Sequence, residues 1–291
     1  MNDVAAVIVT YNRKELLRQC LEKLQEQTVS LDIIVVDNAS TDGTADLFRS
    51  SKDNIYYFNT CSNLGGAGGF NYGVRKGVEA GYRYLWLMDD DTFPTATSLA
   101  ELLNAAKELD DNFGFLSSLA YWTDGQLCNM NIQRKNMKEK ISLEDKNLTK
   151  IIMATFVSFF VKTETVQEIG LPIKDFFIWS DDLEYTRRIS KKYDCYLITE
   201  SKVVHAMKGN QKVNIVNDSD DRISRYRLLY RNEMYVYRRE GIGGILYYME
   251  RVIYHILKVL MSKSNNKIKK IGIIFSSVKD GVHFNPPIEY V

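Results

Sequence analysis

Apolar runs and polar breaks alternate regularly through the first 91 residues. Val4 to Thr10 (VAAVIVT) is an unbroken apolar run of strand length. Lys14 to Gln27 then carries Leu16, Leu17, Cys20, Leu21 and Leu24 at helical spacing, which predicts an amphipathic helix. Ile33 to Val36 predicts a second strand that stops at Asp37-Asn38. A helix is expected from near Thr41, a third strand over Ile55 to Phe58, and a further helix through Gly81 after the glycine-rich NLGGAGGF. The fourth strand runs straight into Asp89, Asp90 and Asp91. Such β-α-β-α alternation predicts a parallel sheet with helices on both faces. Ligands of these sheets bind beyond the carboxyl ends of the strands. Tyr11-Asn12, Asp37-Asn38, Asn63 to Phe70 and Asp89 to Asp91 all fall at such ends, so one edge collects every unusual polar cluster of this half.

Three adjacent carboxylates repel one another, and burying them unpaired costs several kcal/mol. A side-chain period of two turns Asp89 and Asp91 one way and Asp90 the other. The first two are then suited to share a hard divalent cation, which takes oxygen ligands and phosphates. An Asp-rich turn, with Asp91 and Thr92 capping a helix after it, accounts for the same residues. The segment NLGGAGGF is neither a dinucleotide fingerprint nor a Walker loop. Its glycines would let backbone N–H groups approach a diphosphate, or would serve a turn and close helix packing.

Beyond residue 113 the pattern weakens, and the charged stretch Gln133 to Lys150 reads as a loop or lid, or as a solvated insertion. Ile151 to Val161 resembles a strand. Phe176 to Trp179 leads into Ser180-Asp181-Asp182-Leu183-Glu184, where a helix is expected to open. Asp181 as cap with Glu184 three residues on would form a capping box. Asp182 is then spare, and a spare carboxylate beside aromatic residues is a candidate general base. A strand over Cys195 to Thr199 precedes Val203-Val204-His205, and a single histidine after a strand is more often structural than a ligand.

Composition narrows the class. Hydrophobic residues make up 45% and charged residues 26%, which is globular rather than disordered. Residues 206–291 hold 15 Lys or Arg against 8 Asp or Glu, a balance of +7 that leaves the first 205 residues at −6. An acidic front with a basic tail suits a metal site and an anionic partner surface. Cys20, Cys61, Cys128 and Cys195 lack metal-ligand spacing and are expected to be reduced thiols. Neither a leader at MNDVAAVIVTYN nor an apolar run long enough for a membrane span is read, so a cytoplasmic location is expected.

Taken in order, VIVTYNR, VVDNASTDGT, NLGGAGGF, WLMDDD and FIWSDDLEY resemble the family 2 glycosyltransferases with the GT-A fold, over roughly residues 4–240. The wording NxGGAGGF followed by DDD is similar to galactofuranosyltransferases and to rhamnosyltransferases of cell-wall and capsular polysaccharides. The resemblance implies an α/β fold with a mainly parallel sheet and a helical C-terminal extension. It implies a nucleotide pocket lined by Thr10, Tyr11 and Asn12, with Asp37 on the base. Asn63, Gly65 and Gly66 would border the donor sugar and diphosphate. Asp89 and Asp91 would hold Mn²⁺ or Mg²⁺, with His205 as a further ligand, and Asp90 would face the donor sugar or ribose. Asp182 would be the general base, with Asp181 beside it, and Trp179 and Glu184 would lie on the acceptor side. Relatives place tryptophan directly before the acidic pair, whereas Ser180 intervenes here. The implied reaction is inverting transfer from a nucleotide-sugar donor, UDP-galactofuranose first and dTDP-rhamnose second, to a glycan or lipid-linked acceptor. A sugar-phosphate nucleotidyltransferase would need a glycine-rich basic loop after the first strand, which TYNRKEL lacks. A non-catalytic sugar-nucleotide-binding module would not need all three aspartates and Asp182.

A catalytic domain is expected over 1–221, with a nucleotide-binding half at 1–91 and an acceptor half at 92–221, and a helical extension over 222–291. Residues 222–239 interleave six arginines with tyrosines. Nucleic acid is not expected as a partner, because the front half is acidic and no nucleic-acid module is present. From Ile245, an apolar face of Ile245, Met249, Val252, Ile253, Ile256, Leu257 and Leu260 opposes Tyr247, Glu250, Arg251, Tyr254 and Lys258. Lysines 263, 267, 269 and 270 come next. This pattern fits peripheral docking on the inner, anionic face of the cell membrane, or packing on the chain's own core or a second subunit of a homo-oligomer.

Overall fold

The computed structural model describes residues 2–49, 53–210, 214–218, 222–263 and 266–291. The domain boundary expected at residue 221 falls outside them.

Strand β1 (Val4–Thr10) lies between β2 (Asp32–Asp37) and β4 (Tyr84–Asp89), parallel to both, and β3 (Ile55–Asn59) extends the sheet beside β2. All of β1 is buried because both faces are covered, which is why its sequence is continuously apolar rather than alternating. Val7 and Val9 face one core with Val36, Phe70 and Leu85, while Ala6 and Ile8 face the other with Leu17, Val35 and Trp86. Helix α1 (Lys14–Gln25) buries Leu17, Cys20, Leu21 and Leu24, each fully buried apolar side chain contributing roughly 1.5–3 kcal/mol.

Helix α2 (Gly65–Glu79) settles part of the glycine question. Side chains at 69, 73 and 77 would collide with Val9, Val7 and Leu85, so these glycines seat the helix directly on β1 and β4. The helix expected near Thr41 is a single 3-10 turn, Thr44–Phe48.

The sheet is mixed rather than mainly parallel along its whole width, with the order β3-β2-β1-β4-β8-β6-β9-β5. Strand β8 (Phe159–Lys162) pairs antiparallel with β4 and with β6 (Phe115–Tyr121), and β6 runs parallel to β9 (Tyr196–His205). The short β5 (Thr92–Pro94), just past the aspartates, pairs antiparallel with the end of β9, and β7 (Thr149–Lys150) pairs with its start. The strand expected over Ile151 to Val161 is confined to Phe159–Lys162, and Tyr196–His205 forms one strand rather than two segments. Helix α3 (Ser98–Glu108) lies under β9, and the short α4 (Thr163–Ile169) precedes α5 (Asp181–Ser190).

The C-terminal region forms α6 (Tyr226–Arg238), α7 (Gly241–Met261) and α8 (Lys267–His283), around a core that includes Tyr226, Tyr230, Tyr248 and Ile274. Helix α7 does not divide as its sequence suggests. Tyr248 and Val252 turn inward, and Arg251, expected on the polar face, pairs at 3.0 Å with the buried Glu233. The Tyr248 hydroxyl donates to the Tyr230 carbonyl at 2.7 Å. Ile242, Leu246, Ile253, Leu257 and Leu260 are left exposed on the outer side. Lys270 is not part of an exposed lysine cluster: it is buried and donates to the Val216 carbonyl at 2.9 Å.

Candidate active site

Parallel register brings Thr10, Asp37 and Asp89 to one edge, since Thr10 lies opposite Asp37 and Val9 opposite Asp89. Past β4 the chain turns, and the expected divergence of the aspartates is present. Asp90 points back under β1, where the Thr10 hydroxyl donates to it at 2.7 Å and Arg13 at 3.1 Å. Burial pushes the Asp90 carboxyl up to about 7, against the pull of Arg13. The same guanidinium donates to Asp91 at 2.8 Å. Arg13 lies in the TYNR run, yet sequence reasoning gave it no role.

Asp89 and Asp91 turn the other way, toward His205. Antiparallel pairing of Thr92 with His205 places the imidazole beside them, and one ligand atom from each of the three residues lies within 4.8 Å of the others. His205 Nε2 is 2.9 Å from Asp91 Oδ1, and Nδ1 is 2.8 Å from Asn131 Oδ1. A proton on Nδ1 donated to Asn131 would orient the ring so that Nε2 serves as a ligand once a metal displaces the proton it shares with Asp91, the usual way a metal-binding histidine is held. Asn131, which donates to the Thr155 hydroxyl at 2.9 Å, was invisible to the sequence reading. Burial alone would lower the His205 pKa, but its bonds to Asp91 and Cys128 and the charges of Asp91 and Asp89 raise it to about 10. Burial also opposes ionisation of Asp91, yet His205 and Arg13 hold that carboxyl below the usual range. Two carboxylates and an imidazole suit a divalent cation, and the 41% exposure of the Asp89 side chain leaves the cluster open to a ligand.

The other predicted residues divide into those on the surface of this edge and those inside it. Tyr11 is exposed, and Asn12 accepts from the Thr41 amide at 2.7 Å, tying together the loops after β1 and β2. Asp37, expected on the nucleotide base, is completely enclosed. It accepts from the Tyr57 hydroxyl at 2.6 Å and the Ser40 amide at 2.8 Å, so its carboxylate shapes the loop from within. Asn63 Oδ1 accepts from the Gly65 amide at 2.9 Å. Gly65 has φ +71°, and a side chain there would strike the Phe177 carbonyl, whereas one on Gly66 would meet open space.

Across the edge, the loop before α5 holds three non-glycine residues in the left-handed region: Phe177, Trp179 and Ser180. Such backbone costs about 1–3 kcal/mol per residue and persists only where neighbours fix it. Here the fully buried Asn232 of α6 fixes it, donating to the carbonyls of Phe176, Ile178 and Trp179 at 3.0, 3.2 and 2.9 Å. The Trp179 ring packs on Tyr226 at 5.4 Å between centroids.

The capping box does not form. Ser180 is the cap residue, Asp181 begins the helix, and the Glu184 amide donates to the Ser180 carbonyl at 3.0 Å. Glu184, expected on the acceptor side, turns into the protein instead. It is buried and paired with Arg188 at 2.9 Å, which also holds the Ile169 and Leu171 carbonyls. Asp181 and Asp182 remain as the carboxyls of this side. Burial, reinforced by the neighbouring Asp182 charge, raises Asp181 well above the ordinary range, and burial raises Asp182 to about 7. The Asp89 charge acts on both, so the two acidic groups share one site.

Residues 5–169 match the family model for glycosyl transferase family 2, and the chain belongs to that family. It is 27% identical over 195 residues to galactofuranosyltransferase GlfT1 of Mycolicibacterium smegmatis, covering 64% of this chain and 65% of that one. Identity to GlfT1 of Mycobacterium tuberculosis is 31% over 206 residues, 64% of each chain. The match thus spans just under two thirds of these relatives' length. Among solved structures, the mannosyltransferase PcManGT from Pyrobaculum calidifontis in complex with GDP-Man and Mn²⁺ superposes with a TM-score of 0.58 at 16% identity, covering 98% of this chain and 76% of the other. S. aureus TarS 1-349 in complex with UDP gives 0.55 at 15% identity, over 97% and 72%. These likenesses establish the GT-A-like α/β fold.

Proposed function

We propose that the chain is an inverting, metal-dependent glycosyltransferase that moves galactofuranose from UDP-galactofuranose to a glycan or lipid-linked acceptor in bacterial polysaccharide synthesis. The observation that carries this reading is the convergence of Asp89, Asp91 and His205 at a strand edge that faces the raised carboxyls of Asp181 and Asp182. Two galactofuranosyltransferases among the relatives support the choice of sugar. Asp89, Asp91 and His205 would hold Mn²⁺ or Mg²⁺, which when bound offsets charge on a diphosphate leaving group. Thr10, Tyr11 and Asn12 border the nucleotide, with Asp37 supporting their loop from below. The open backbone at Gly66 admits the diphosphate, and Asp90, held by Thr10 and Arg13, lies on the donor side. Asp182 takes the proton from the acceptor hydroxyl as its oxygen bonds to the anomeric carbon and the nucleotide diphosphate departs. One displacement inverts the centre. Asp181 stays protonated beside Asp182 and keeps a second negative charge out of the pair.

The catalytic unit takes in residues 1–221, and α6 completes it through Asn232. The outer face of α7, with Lys258, Lys263 and Lys269 near it, docks on the anionic inner surface of the membrane, where lipid-linked acceptors reside. Among the described residues no helix is long and apolar enough to cross a membrane.

The test is turnover with Mn²⁺, offering UDP-galactofuranose, UDP-galactopyranose and dTDP-rhamnose separately to the protein and a membrane acceptor fraction, with and without chelator. Chelator-sensitive release of UDP from the furanose donor alone is the expected result. Turnover of dTDP-rhamnose alone would transfer the site to the other sugar, and chelator-insensitive turnover would remove the metal.

A further inference from the structure

The strained loop before α5 has two halves, and Asn232 holds the second, from Phe176 to Trp179. The first half starts at Gly170, whose φ is +87°. A side chain at Gly170 would strike Ile288 and the Glu289 carbonyl, so the segment after α8 lies directly on this backbone. Residues 284–291 thus return from the C-terminal helices to the catalytic α/β layer. Phe284 and Ile288 pack against a core of Ala67, Ile173, Phe176, Tyr235 and Val236. Ala67 lies in the first turn of α2, and its amide donates to the Phe177 carbonyl.

Glu289 is where these parts meet. Its carbonyl accepts from the Leu171 amide at 2.8 Å. Its carboxylate accepts from Asn71 at 3.3 Å and Arg75 at 3.1 Å on α2, and from Lys174 on the loop. The buried Asn71 also donates to the Pro172 carbonyl at 2.8 Å, and Arg75 to the Tyr290 carbonyl at 3.1 Å. Lys174 above all, with Asn71 and Arg75, holds the Glu289 carboxyl below the usual range against the effect of burial. The Lys174, Arg75 and Glu289 side chains are 52%, 28% and 30% exposed, and ion pairs this open to water add little stability. What they supply is registry: one carboxylate sets α2 against the loop that leads into Asp182.

We propose that Glu289 is a positioning residue for glycosyl transfer: it pins residues 171–174 to α2 and so fixes Asp182 relative to the edge that carries Asp89 and Asp91. It touches no reactant and acts through the loop. This deepens the assignment of Asp182 as base and rests on it. Helix α2 is a firm reference for that spacing, since its glycines seat it on β1 and β4, and β4 ends in Asp89.

The test joins two measurements on the full chain: transfer from UDP-galactofuranose, with Mn²⁺ and a membrane acceptor fraction, and amide hydrogen exchange. Glu289→Ala should lower kcat about tenfold, a fraction of what a misplaced catalytic group costs, with donor KM and Tm unchanged. Amides of 170–183 should exchange about tenfold faster, while those of α6 to α8 keep their protection. Glu289→Gln keeps an acceptor for Asn71 and should fall between Glu289→Ala and the unaltered protein. Lys174→Gln breaks the loop-side contact alone and should lower kcat in the same direction, which decides the matter if Glu289→Ala lowers Tm. Unchanged exchange over 170–183, or a normal kcat in both Glu289→Ala and Lys174→Gln, overturns the proposal. A loss of Tm with kcat and donor KM unchanged also overturns it. No transfer by the unaltered protein would count against the donor reading, and full activity in Asp182→Asn against the base. In either case the exchange arm still decides whether Glu289 holds the loop.

Discussion

Gly65 and Phe177 meet backbone to backbone: the Phe177 carbonyl occupies the space that a side chain at residue 65 would need. The same carbonyl accepts from the Ala67 amide at 3.1 Å. The turn that opens α2 is thereby joined to the loop that presents Asp182. The two sides of this edge share a strained seam, fixed on one side by a glycine and on the other by Asn232.

Adjacent glycines should therefore behave differently. Gly65→Ala forces a side chain onto backbone at φ +71°, and the expected cost exceeds about 2 kcal/mol. Its Tm should fall by several degrees, and turnover should fall with it. Gly66→Ala enters open space, so Tm should hold while UDP affinity drops as the methyl group crowds the diphosphate. Thermal melts and UDP titrations on the two variants decide this. Equal Tm losses would mean that Gly66 is structural as well.

Asn232→Ala tests the other side of the seam. It leaves three carbonyls, that of Phe176 buried and the other two partly so, short of their donor, at a cost of about 1–3 kcal/mol. Because the loop it releases carries Asp181 and Asp182, kcat should fall more than stability alone explains, with UDP affinity nearly unchanged. A variant with normal kcat and lowered Tm would make Asn232 a residue of stability only.

Much of this arrangement is legible in the chain because it is local. Apolar strands ending at Asp37 and Asp89, and the opposed directions of Asp89 and Asp90, follow from a sheet covered on both faces and a side-chain period of two. The parts that escape are set by distant pairing. His205 reaches Asp91 across 114 positions, through the register of β5 on β9. Asn232 stands in the Arg231-Asn232 pair of a helix otherwise rich in tyrosine, and nothing local tells that its amide holds three carbonyls more than fifty residues away. Glu184 misleads for the converse reason: an acid three residues after Asp181 suggests a cap, but Arg188 one turn on claims it. Helix α7 looks singly amphipathic because Arg251 reads as a surface charge until Glu233 is seen beneath it.

The activity should depend on pH through Asp182. Burial raises its carboxyl to about 7, and only the carboxylate accepts a proton, so kcat/KM should climb as pH rises through about 7 and level off above it. Asp182→Asn should lower kcat by about 10²–10⁴-fold and remove this limb, with UDP binding kept. Because Asp181 stays protonated beside it, Asp181→Asn removes no charge and should leave the limb near pH 7. Rate profiles of the three proteins settle the assignment, and an unaltered limb in Asp182→Asn would reject it.

The outer face of α7 is best tested without removing the helix. Deleting residues 245–291 should reduce liposome binding, but it would also take away Tyr248 and Arg251, which hold α6, so the loss would mix adhesion with folding. Leu246 and Leu257 are 65% and 51% exposed, and neither belongs to the buried core of these helices. Each leucine that enters the interface contributes up to roughly 1.5–3 kcal/mol. Leu246→Glu with Leu257→Glu should therefore cut co-sedimentation with phosphatidylglycerol vesicles by more than about tenfold at unchanged Tm. High salt should weaken the remaining attraction of Lys258, Lys263 and Lys269 to the vesicles. Undiminished vesicle binding, together with a shift to a smaller species on gel filtration, would assign the face to a second copy of the chain instead.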